Sequence, residues 1–167
     1  MELFWIISFP LAFIIHDGEE IVVQHQWMLA HKESIIQKFP RATRIIVHLS
    51  SLSTKAFAVA VLEELILLLL ATAYILIGGV YATELWIALF MAFSIHFVIH
   101  IAQGIIIRGY VPGLVSSILM LPYAYLGVLR ICEDVSGNKL VLLSVLGVVA
   151  MLVNLRLAHW VGNFLKF

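Results

Sequence analysis

Cysteine is almost absent from this 167-residue sequence, and neither sign of charge is in excess. The single Cys132 excludes an internal disulfide and a cysteine-rich zinc site. Ten Lys and Arg balance ten Asp and Glu, so electrostatics gives no case for nucleic-acid binding. Charged residues make up only 12% of the chain, where a soluble domain carries about 25%. No internal repeat or low-complexity segment is visible. The first residues include Glu2 but no basic stretch, and no small-residue cleavage site follows. That pattern predicts an uncleaved first span, not a signal peptide.

What remains is apolar. Hydrophobic residues are 63% of the chain and its mean hydropathy is +1.08, which predicts an integral membrane protein. At about 20 residues per span there is room for four to six helices and almost no extramembrane domain. The expected fold is all-α, a single polytopic transmembrane helix bundle. Five spans are expected, at about residues 3–28, 56–77, 85–107, 114–131 and 140–160. In the polar stretch 31–54, Ile35, Ile36 and Phe39 alternate with charges, as in a short interfacial helix ending before Pro40. Pro10 and Pro122 fall inside spans and predict kinks. Thr83 is the expected N-cap of the third span.

Basic residues set the expected orientation. Lys32, Lys38, Arg41, Arg44 and Lys55 lie in the first loop, Arg108 in the third, and Lys166 near the C-terminus. Only Arg130 and Lys139 flank the other side. The positive-inside rule then puts the N-terminus outside a cell membrane and the C-terminus in the cytoplasm.

Three spans carry ionisable groups at depth, where each central charge costs roughly 2.5–3.5 kcal/mol on insertion scales. They are His16, Glu19 and Glu20 in the first, Glu63 and Glu64 in the second, and His96 and His100, followed by Gln103, in the third. His16 and Glu20 are i,i+4 and share a helix face, as do His96 and His100. Counted from the cytoplasmic ends of their spans, all lie about 12–18 Å in, at 1.5 Å per residue. Three helices of alternating direction thus bring carboxylates and imidazoles to one layer, the way bundles build buried metal sites. The expected ligands are His16, Glu20, Glu64, His96 and His100, with Glu19 and Glu63 as catalytic carboxylates and Gln103 in support. Asp17, next to His16, is expected to face away. The plainer account of any one of these groups is a hydrogen bond between helices or a shared proton.

The cluster His16-Asp17-Gly18-Glu19-Glu20, the later His96-Phe97-Val98-Ile99-His100 and the turn Tyr110-Val111-Pro112-Gly113 together resemble the bacterial HXXEE family of small membrane proteins. The resemblance implies that His16, Glu19 and Glu20 are defining residues; it implies no reaction. From the residues, three functions compete. The first is a zinc-dependent hydrolase of a lipid or other apolar substrate. The second is a di-iron oxidase or hydroxylase, and the third a proton- or metal-coupled carrier, possible as an oligomer. The first needs no electron-transfer partner.

Overall fold

In a computed structural model, the structure describes residues 2–164, so Lys166 lies outside the described residues. The described chain is helical with short connections, as the apolar runs require. Helix α1 spans Leu3–Lys38, a 3-10 turn covers Pro40–Ala42, and α2 spans Thr43–Ser51. Helix α3 spans Thr54–Leu76, α4 Ala82–Ile107, α5 Leu114–Asp134 and α6 Gly137–Phe164.

Four stretches are long and apolar enough to cross a membrane: α3, α4, α5 and Gly137–Val161 of α6. Their outer surfaces support that reading. On α6, Val141, Leu142, Val145, Leu146, Val149, Leu152 and Val153 are each more than half exposed, a continuous apolar face suited to lipid. The protein is a membrane protein built as a helical bundle. The expected first span is the exception. Helix α1 has 36 residues, about 54 Å, but Asp17, Glu19 and Glu20 interrupt its apolar half. It also runs on past residue 28 through the segment expected to form a separate interfacial helix. Nothing between Met28 and Lys38 breaks a helix; Pro40 does.

Helix α4 is the axle of the bundle, packing against α6, α5 and α3, while α1 packs against α3, α2 and α5. One end of the core is aromatic: Trp86 stacks on Phe90 at 4.8 Å, and Phe9 meets Phe90 at 5.7 Å and Phe93 at 5.3 Å. Small residues set the close approaches. A Cβ on Gly147 of α6 would stand 2.0 Å from the Ala88 carbonyl oxygen of α4, so only glycine permits this crossing.

Helix ends depart from expectation in one place. Helix α4 begins after Tyr81, in the left-handed region at φ +59°, and not with Thr83 as a side-chain cap. It ends with Arg108 at φ +62° and the Gly109 N–H donating to the Gly104 carbonyl, a Schellman-type closure. That closure turns the chain sharply through Tyr110 and into α5. Trp27 of α1 grips the turn, its indole N–H donating to the Tyr110 carbonyl at 2.9 Å.

Candidate metal centre

The i,i+4 spacings on α1 and α4 do what the sequence predicts. His16 and Glu20 from α1 and His96 and His100 from α4 each present a ligand atom, and the four atoms lie within 4.8 Å of one another. His16, Glu20 and His100 are buried, and His96 is half-buried. The His100 Nε2 is 3.1 Å from Glu20 Oε1 and 2.9 Å from His96 Nε2. The His16 ring stands edge-on to both other imidazoles, its centroid 5.0 Å from each. Tetrahedral zinc with bonds of about 2.0–2.1 Å has ligand–ligand edges near 3.3–3.4 Å, so little movement would close these atoms on one ion.

Protons sharpen this. The Ser116 hydroxyl donates to the Gly113 carbonyl at 3.3 Å and lies 2.9 Å from His16 Nδ1. The His16 Nε2 is fully buried and has no hydrogen-bond partner. A buried ring nitrogen without a partner, on a ring that packs against two other imidazoles, is free to serve as a ligand atom. The donor set, three nitrogens and one oxygen, could hold a metal ion.

The backbone helps to shape the site. Gly113 has φ +77°, and a Cβ there would stand 2.9 Å from both Glu20 Oε1 and His100 Nδ1. The turn after Tyr110 therefore lies directly against two of the four residues, and glycine is required twice over, by conformation and by space.

The other expected residues are placed differently. Glu19 points to the start of α5. It accepts from the Tyr110 hydroxyl at 2.7 Å, the Val115 N–H at 3.3 Å and the Ser116 N–H at 2.7 Å. These are orphan donors of a helix N-terminus, where a carboxylate is favoured. Desolvation and the bond to Glu19 push the Tyr110 phenol above its ordinary value, so it remains a donor at any ordinary pH. Glu63 accepts from the Asn154 amide of α6 at 3.3 Å. Glu64 and Gln103 line a cavity of about 910 Å³ on the open side of the cluster, but neither joins the group of four.

That cavity is mainly apolar, walled by α1, α2, α3, α4 and α6. Glu20, His96 and His100 border it, with Asp17 and Glu64 beside them. Asp17 was expected to face away from the site. It is outside the group of four but only 6% exposed, and it lies in the cavity wall as an electrostatic neighbour of Glu20 and Glu64. The signal was its i,i+3 spacing to Glu20, not its adjacency to His16. Ser116 went unnoticed because the Ser116-Ser117 pair at the start of an apolar helix carries no sequence signal.

A family model of proteins of unknown function with an HXXEE motif matches residues 7–126. The chain belongs to this family. The motif is His16-Asp17-Gly18-Glu19-Glu20, and the matched stretch also contains both α4 histidines, the Tyr110–Gly113 turn and Ser116. No curated protein and no solved structure matches the chain.

Proposed function

We propose that this HXXEE protein is a membrane metalloenzyme. His16, Glu20, His96 and His100 hold one divalent ion, with zinc the favoured metal, and the substrate is a lipid or other apolar molecule held in the adjoining cavity. The observation that carries the reading is the convergence of four ligand atoms from α1 and α4, one of them from an imidazole with an orphan nitrogen, beside a large apolar cavity.

A bound divalent ion would supply Lewis-acid activation of water and of a carbonyl or phosphoryl oxygen. The protein's own part is to orient and to move a proton. Glu19 and Glu63 are held by donors of α5 and α6, which leaves the cavity-wall carboxylates near Glu20, and Glu64 is favoured as proton acceptor over the more deeply buried Asp17. The apolar wall would accept an acyl chain entering sideways from the bilayer. Hydrolysis is favoured over oxidation because the four residues form one group, and no second cluster of metal-ligating residues occurs among the described residues.

The orientation follows from charge. Glu2 pairs with Arg130 at 3.2 Å and Glu84 with Lys139 at 2.8 Å, so the few basic groups at that end are neutralised. The opposite end carries the unbalanced Lys and Arg of residues 32–55 and is assigned to the cytoplasm.

Elemental analysis of the detergent-purified protein is the test. Near-stoichiometric zinc supports the hydrolase, and about two irons per chain would replace it with the oxidase. No metal after purification without chelators, together with proton flux in liposomes, would overturn both in favour of a carrier.

A further inference from the structure

The two glutamates of the motif are adjacent in sequence, and the structure gives them different neighbours. Glu20 faces the three histidines, 3.1 Å from His100. Glu19 has both carboxylate oxygens taken, Oε1 by Tyr110 and Val115 and Oε2 by Ser116. Its tightest backbone partner, the Ser116 N–H at 2.7 Å, belongs to the residue whose hydroxyl meets His16. One residue of α5 is thus held on its backbone by Glu19 and touches, with its side chain, the first residue of the same motif.

The direction of the Ser116–His16 bond can be worked out. A hydroxyl has one proton, and Ser116 directs it at the Gly113 carbonyl, which can only accept. With the proton placed there, the Ser116 oxygen is the acceptor of the His16 contact, whose direction depends on the tautomer, and Nδ1 would carry the imidazole proton. A neutral imidazole protonated at Nδ1 has its lone pair on Nε2, the nitrogen that is buried and unpartnered.

We infer that Glu19 and Ser116 form a positioning pair that fixes the tautomer of His16: Glu19 anchors the first turn of α5, and Ser116, so anchored, takes the Nδ1 proton and leaves the Nε2 lone pair free on the ring that stands beside His96 and His100. Both are positioning residues, acting through His16. Outer partners of this kind typically change metal affinity by 10–100-fold when removed. The purpose of the arrangement rests on the metal-site reading, whereas the tautomer can be observed without any metal.

The test is side-chain nitrogen NMR on full-length, chelator-treated protein in detergent, with 15N-labelled histidine and the His16 signals assigned by their loss in His16→Gln. The expected result is a His16 held as the Nδ1–H tautomer. In Ser116→Ala it should become a mixture or switch to Nε2–H, and in Ser116→Thr, which keeps the hydroxyl, it should remain Nδ1–H. Glu19→Ala, although it does not touch His16, should shift the balance in the same direction as Ser116→Ala. A wild-type His16 found as Nε2–H overturns the inference and needs no variant to fold. So does a tautomer indifferent to Ser116→Ala. An Nδ1–H tautomer that follows Ser116 in a protein that takes up no zinc supports the positioning pair and removes the metalloenzyme reading. Zinc retained with an indifferent tautomer does the reverse.

Discussion

Glu20 of α1 and His100 of α4 approach to 3.1 Å, while the Cα of Gly113 leaves no room for a side chain between them and the start of α5. Two helices and one turn therefore share a single contact point, and several consequences are measurable there.

Replacing Glu20 with Gln keeps the shape and removes the charge that balances a cation. Metal content of purified Glu20→Gln should fall at least about tenfold relative to wild type, as should that of His16→Ala and His100→Ala. Metal analysis per chain decides this. Wild-type occupancy in both His16→Ala and His100→Ala would remove the ligand set.

Gly113→Ala should damage the site without touching a ligand. The left-handed backbone costs about 1–2 kcal/mol for a residue with a Cβ, and the methyl would press on Glu20 and His100 at 2.9 Å. The expectation is a lower melting temperature and reduced metal retention together. A variant that loses neither would mean the turn sits farther from the site.

Gly147→Ala tests packing away from the candidate site. Its Cβ would meet the Ala88 carbonyl at 2.0 Å, so α4 and α6 must separate, at a cost of about 1–3 kcal/mol. Thermal unfolding in detergent should shift down by a few degrees, roughly 2–4 °C for each kcal/mol in a chain of this size. Metal content per folded chain should stay at the wild-type level.

If the four residues hold an ion as proposed, stripping it should destabilise the fold. An ion that binds only the native state adds about 2.7 kcal/mol at a free concentration one hundred times its dissociation constant. Chelation should therefore lower the melting temperature, and added zinc should restore it in wild type but not in His96→Ala/His100→Ala. Identical melting curves with and without chelator would contradict a site of useful affinity.

Much of this architecture could be read in advance, because it depends on periodicity and length. The i,i+4 pairs His16/Glu20 and His96/His100 met because matched depth on two helices running in the same direction is nearly sufficient to bring side chains together. Adjacent residues were harder. They differ by about 100° around a helix, so which glutamate of each pair turns inward depends on the rotation of the whole helix, and only packing fixes that. Glu19 was taken for chemistry, yet it lies against the Val115 and Ser116 N–H groups, donors that appear in no motif because they belong to the backbone of another helix. Asp17 was set aside by its angle to His16 when its angle to Glu20 mattered more. The long α1 was shortened in the reading because polar residues after Met28 resembled a boundary, although none of them stops a helix.

The neutral net charge of the chain conceals a strong separation along the bundle. Apart from Arg130 and Lys139, every Lys and Arg among the described residues lies toward one end, whereas Asp17, Glu19, Glu20, Glu63 and Glu64 lie in a layer within the bundle. Carboxylates packed together in an apolar interior are costly to desolvate and repel one another when ionised. A cation held among them would offset both costs at once. The layer and the proposed ion would therefore stabilise each other, and neither would be comfortable alone.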